Sequence, residues 1–184
     1  DLPPLAGPEL VAGDAIAAAI IEAAEDAGVA AIVFRVDSPG GSALAADRIW
    51  RAVQAVKKPV IASVGQVAAS GGYYVASAAD TIVANPSAIV GSIGIFFGKV
   101  DLAGLLKKMG VGVSKVSAGE GGAADSLYEP FSPAERAQLT DALRAWYRLF
   151  LRRVADGRGM KAHEVHALGQ GRIFSADDPI AAKL

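Results

Sequence analysis

Two turns built on paired glycines, each closing a β-branched run and opening a helix, constrain this chain more than any other feature of its sequence. Ala31-Ile32-Val33-Phe34-Arg35-Val36 runs straight into Asp37-Ser38-Pro39-Gly40-Gly41-Ser42, and Val60-Ile61-Ala62-Ser63-Val64, introduced by Pro59, leads on to Ala68-Ala69-Ser70-Gly71-Gly72-Tyr73-Tyr74. Repeated strand-to-helix units of this kind pair their strands side by side and lay their helices across the sheet. The pattern predicts helix 14–26, strand 30–36, helix 43–56, strand 60–64, helix 71–79, strand 81–84, strand 93–97, helix 102–109 and strand 112–116. On the helix after Ser42, Ala45, Ile49, Ala52, Val53 and Val56 recur at helical spacing, a stripe suited to covering a sheet. The expected fold class is layered α/β, with helices covering a mainly parallel sheet in one domain, 1–184.

Further along, Ser132-Pro133-Ala134-Glu135 combines an N-cap, a first-turn proline and a capping-box glutamate. Leu139, Leu143, Trp146, Tyr147, Phe150, Leu151 and Val154 then form one apolar face, ended by Gly157 and Gly159. A Gly- and Ala-rich loop, 117–129, precedes this long helix.

The second turn places one small hydroxyl, Ser70, at the mouth of a helix. Backbone N–H groups at a helix start lack intrahelical partners and carry the positive end of the macrodipole, so negative charge on a nearby oxygen is stabilised there. Ser70 is therefore a candidate nucleophile, weighed against the common role of serine as a plain N-cap. In the first turn, Gly40 and Gly41 can take positive φ and present their amides to a ligand. Acyl transfer needs such donors aimed where the oxyanion forms, and the amides of Gly41 and Gly71 are the candidates. Glycine turns also bind phosphate or simply redirect the chain, but the spacing here is neither G-x-G-x-x-G nor a Walker loop.

These two motifs, followed in order by Ala84-Asn85-Pro86-Ser87 and Gly91-Ser92-Ile93-Gly94-Ile95, resemble the signal peptide peptidase A family of bacterial serine proteases, over about residues 32–183. The resemblance implies a fold shared with the Clp protease and crotonase superfamily, a Ser/Lys dyad with Ser70 as nucleophile, and cleavage of signal-peptide remnants at the membrane. It also implies a peptide-binding groove near Gly40, Ile93, Ile95 and Phe96, which would favour small or apolar side chains; ordinary strand core is the other reading of Ile93, Ile95 and Phe96. A peptide there would lie extended, paired to strand edges.

The lysine is where the sequence departs from the family's short form. The family pattern Gly-x-Tyr-Lys-Ser-x-x-Glu-Pro-Phe meets Gly122-Ala123-Ala124-Asp125-Ser126-Leu127-Tyr128-Glu129-Pro130-Phe131, so Asp125 stands where the base is expected. The long form of the family looks like two tandem copies, lysine in the first and serine in the second, and this chain looks like the second. The expectation is a lysine supplied by an N-terminal half or a neighbouring protomer, with a homo-oligomer as the assembly and the isolated chain nearly inactive. Among other bases, Lys99 and Lys115 read as solvated strand-end charges, and His163 and His166 as exposed residues of a short C-terminal helix.

Composition sets outer bounds. A chain of 184 residues, 52% hydrophobic with mean hydropathy +0.35, has ample core-forming material. A formal charge of −1 gives no electrostatic case for nucleic acid. Without cysteine and with two histidines, neither disulfides nor a zinc site is expected, and no cofactor is called for. No apolar run approaches the roughly 20 residues of a membrane span. The opening Asp1-Leu2-Pro3-Pro4 lacks a signal-peptide pattern, so a soluble piece of a longer protein is expected. The resemblance implies that the full-length bacterial protein is associated with the inner membrane and faces the periplasm, its anchor lying outside these residues. Two other readings stand beside the peptidase: a crotonase-like acyl-CoA enzyme using the same kind of oxyanion hole, and a scaffold domain without catalysis.

Overall fold

A computed structural model of the chain describes residues 12–114, 116 and 126–184. The described residues group into two compact units: those up to Gly94 together with those from Arg148 onward, and those within Ile95–Tyr147.

The first unit carries the sheet. Its elements are α1 (Gly13–Glu25), β1 (Ile32–Ser38), α2 (Ala43–Ala55), β2 (Val60–Ala69), α3 (Gly71–Ala76), β3 (Thr81–Ala84) and β4 (Ile89–Gly91). After the second unit come the end of a long helix, then α6 (Ala162–Leu168), β5 (Ile173–Ser175) and a 3-10 turn. β2 is the organising strand. β1 pairs with it in parallel along one edge, while β3 and β4 pair with successive parts of the other, also in parallel. β5 closes the far side antiparallel to β4. The expected layered α/β architecture with a mainly parallel sheet is what this unit has.

Alternation along the strands fixes which face is covered. Ile32 and Val36 of β1 and Val60, Ala62 and Val64 of β2 point to the helical side and are buried, while Val33 and Val83 lie on the opposite face and are exposed. Among the helices, Ile20, Ala46, Trp50 and Val53 are buried too, and the C-terminal part of the unit adds Phe150, Leu151, Val154 and Val165. A β-carbon on Gly157 would run into the carbonyl of Ser77, so only glycine lets those backbones meet.

In the second unit, α4 (Ala103–Lys108) and the first half of α5 (Pro133–Arg158) are the regular elements among the described residues. The capping box forms as the sequence predicts: the Glu135 amide donates to Ser132 Oγ at 3.2 Å, and the Ser132 amide to Glu135 Oε2 at 2.9 Å. None of the described residues here is buried. Phe96, Val100, Met109 and Val116 are all exposed.

The expected strand 93–97 is not formed; the sheet takes Ile89–Gly91 instead, and residues 92–100 have no regular structure. Parallel pairing of Val67, Ala68 and Ala69 with Ile89, Val90 and Gly91 settles that choice, a long-range register that local β propensity does not encode. Residues 112–114 of the expected strand 112–116 are likewise irregular.

Candidate active site

β2 runs five residues further than its β-branched core predicts and delivers Ser70 directly at its end. It passes Gly65 because the space a side chain would need there is filled by Arg35 and Asp37. The extra length of β2 is absorbed by a bulge, since Val36 pairs with Val64 but Ser38 with Ala68. The carboxylate of Asp37 holds that bulge, accepting the amides of Gln66 and Val67, each at 3.1 Å. The sequence reading treated Asp37 only as the start of a turn; its second contact lies across the sheet.

Ser70 has φ 51° and ψ −121°, a conformation rare for a residue with a β-carbon. Holding it costs on the order of 1–3 kcal/mol. Its N–H donates to Gly91 O at 2.9 Å, and its carbonyl accepts from Tyr74 N at 2.8 Å. The side chain makes no capping hydrogen bond to α3. The plain N-cap reading therefore fails at Ser70, whereas Ser42 is an ordinary N-cap, its Oγ accepting from Ala45 N at 3.3 Å.

The two glycine turns lie against one another, backbone to backbone. A β-carbon at Gly40 would stand 2.7 Å from Ser70 Cβ and 2.8 Å from Gly71 N. One at Gly71 would lie 3.3 Å from Gly41 N, and one at Gly72 would strike the Ser38 carbonyl. Gly40 and Gly41 have φ of 110° and 147°, and the turn is tightened by Gly40 N donating to Ser38 Oγ at 3.2 Å. The structure thus brings together Ser70, Gly40, Gly41 and Gly71. A second strained serine, Ser92 with φ 53°, directly follows the Gly91 whose carbonyl holds Ser70 in place. The Gly91-to-Ile95 motif signalled that turn without singling out Ser92.

Beside the turns opens a cleft of about 320 Å³, bordered by Gly40, Gly41, Gly71 and Gly72 but not by Ser70 itself. Its walls include Ile16, Phe34, Ile49 and Val75, so its character is apolar.

The other residues named from sequence divide. Ile93 is fully buried at 0% exposure, its β-carbon facing Gly169, so it presents no surface to a groove. Ile95 and Phe96 fall in the second unit, Phe96 at 93% exposure. His163 and His166 are exposed, as expected. Lys99 is not the solvated charge expected: its Nζ atom is shielded from solvent, donates no hydrogen bond among the described residues, and lies 4.3 Å over the Phe131 ring. Lys115 and Asp125 lie outside the described residues. Among the described residues no cluster of three or more His, Cys, Asp or Glu is arranged to hold a metal, and no helix is long and apolar enough to cross a membrane.

Behind the turns sits a polar hub that the sequence did not reveal. Asp47 on α2 is buried, and its carboxylate accepts from Tyr74 Oη at 2.7 Å, Arg153 Nε at 2.8 Å and Arg51 Nε at 2.6 Å. Burial raises its pKa, but the hydrogen bonds from Arg51, Arg153 and Tyr74 outweigh burial and leave it below the ordinary carboxylate value. Burial and then the Asp47 bond push the Tyr74 phenol up, so it stays protonated and donating. Arg153 lies 4.2 Å over the Trp50 ring.

Comparison with known proteins places this geometry in context. The family model described as peptidase family S49 matches residues 43–184. A chloroplastic serine protease SPPA of Arabidopsis thaliana is 39% identical over 151 residues, covering 80% of this chain and 22% of that protein. Protease 4 of Haemophilus influenzae is 38% identical over 173 residues, 92% of this chain and 28% of its own length. Protease 4 of Salmonella typhi is 37% identical over 175 residues, covering 93% and 28%. The chain thus spans less than a third of the length of these relatives.

Proposed function

The chain belongs to peptidase family S49, and from that membership we infer that it is the serine-bearing domain of an endopeptidase acting on signal-peptide remnants or other membrane-derived peptides. Ser70 Oγ attacks the scissile carbonyl carbon, its proton passing to a neutral lysine amine. The N–H groups of Gly41 and Gly71 receive the oxyanion. Collapse of the tetrahedral intermediate expels the amine, which takes the proton from lysine, and leaves an acyl-enzyme for water to hydrolyse by the reverse sequence. The base comes from an N-terminal lysine-bearing half of the same protein or from a neighbouring protomer of a homo-oligomer, and the isolated chain turns over little peptide. The exposed apolar side chains of 95–147 are surface that such partners would cover. The full-length protein works at the bacterial inner membrane, facing the periplasm.

One observation carries this reading: Ser70 is held in a strained turn with its hydroxyl released from capping and its β-carbon against Gly40. A hydroxyl serving only to start a helix would need neither the strain nor the freedom. The cleft walled by Ile16, Phe34, Ile49 and Val75 supports an apolar substrate side chain beside the scissile bond. Labelling the full-length protein with a fluorophosphonate tests the assignment. Label on Ser70 that disappears in Ser70→Ala is the expected result; label unchanged in that variant, or none at all in the wild type, overturns it and leaves a scaffold domain.

A further inference from the structure

The two turns that carry the site are held by different helices. Gly41 stands just before α2 and Gly71 opens α3. Where these helices meet at the turns, the contacts are glycine backbone and the Ala46 methyl, 3.6 Å from where a Gly71 β-carbon would be. One turn further along each helix, however, Tyr74 Oη donates to Asp47 Oδ1 at 2.7 Å. Tyr74 also bonds the turn itself, its N–H donating to the carbonyl of Ser70. Arg153, a residue from the far end of the chain, donates to the same Oδ1 while resting on Trp50. Charge-assisted bonds to a buried carboxylate are short and direction-specific, so this hub resists the sliding that small backbone contacts would permit.

We propose that Asp47, through Tyr74, is a positioning residue that sets the spacing between the Gly41 amide and the Ser70–Gly71 turn, and so the fit of the oxyanion to its donors. The proposal rests on Ser70 being the nucleophile. A displacement of about 1 Å at such a site can cost on the order of a hundredfold in rate, while substrate binding along the cleft is left as it was.

The test uses the full-length protein, with kcat and KM on a peptide substrate, fluorophosphonate trapping rate and Tm measured for each variant. Tyr74→Phe keeps the ring against Phe150 and deletes one donor; kcat and trapping rate fall about tenfold, with KM unchanged and Tm within a few degrees. Asp47→Asn leaves Arg153 without its countercharge and is expected to lose more of both rate and stability. Where it folds, adding Tyr74→Phe to it lowers kcat no further, because both act through one bond. Ser77→Ala is the matched control: Ser77 Oγ donates to Tyr74 O inside α3, so its loss lowers Tm without disturbing the hub and leaves kcat in place. Wild-type kcat in Tyr74→Phe, or a rise in KM alone, overturns the positioning role. If labelling persists in Ser70→Ala, the nucleophile assignment has failed instead, and the two failures are separately visible.

Discussion

The two units of this chain spend the same kind of amino acids in opposite ways. In the first, β-branched residues, alanines and aromatics close over one face of a parallel sheet, and the glycine turns that bear Ser70 are seated on that packed base. In the second, Ile95–Tyr147, none of the described side chains is buried, and Phe96, Val100, Met109 and Val116 stand in the open. Apolar content alone therefore says little about where stability resides. A strained serine needs surroundings that over-determine its backbone, and only the first unit supplies them.

The sharpest way to break the contrast is chemical. Ser70→Ala should abolish turnover by about four orders of magnitude or more while leaving the circular dichroism spectrum intact; loss of the fold instead would mean that Ser70 is structural. Next come the glycines. Gly40→Ala meets both the strain of φ 110° and a collision with Ser70 Cβ, and its fluorophosphonate labelling should fall on the order of a hundredfold. Gly98→Ala in the second unit has nothing within 4 Å and should label at the wild-type rate.

Core substitutions compare the units in free energy. Trp50→Ala in the first unit should lower stability by about 3–5 kcal/mol in chemical denaturation, whereas Phe96→Ser in the isolated chain should stay within about 0.5 kcal/mol. A cost well above that for Phe96→Ser in the full-length protein would locate Phe96 at a covered interface and sharpen the contrast. Hydrogen exchange should separate the units likewise, with amides of α4 opening at lower free energy than those of β2.

The smallest effect is a pH dependence confined to the first unit. Asp47 is held below its ordinary value in the folded state, so the unfolded chain takes up its proton first as pH falls. Its stabilisation is complete above an unfolded carboxylate pKa of about 3.9 and is lost progressively below it, toward the folded value. Thermal melts from pH 5 down to pH 2 should show that acid limb, reduced in Asp47→Asn; an identical limb in both would exclude Asp47 as its source.

What the sequence decided by itself is what neighbouring residues decide. Paired glycines permit positive φ, Ser132 and Glu135 cap a helix three residues apart, and β-branched runs favour strands, so α2, β1, β3, the start of α5 and both glycine turns were legible in the sequence. The strain at Ser70 and its freedom from capping were not, because they depend on Gly40 and Gly91 approaching from other segments. Ile93 became core when Gly169 closed over it, and the Lys99 ammonium came to rest above the Phe131 ring. Asp47 carried no signal of its role in the sequence, since its partners Tyr74 and Arg153 lie 27 and 106 residues away. Local torsional preferences are written in the order of residues, whereas burial and long-range hydrogen bonds exist only once chain segments have met.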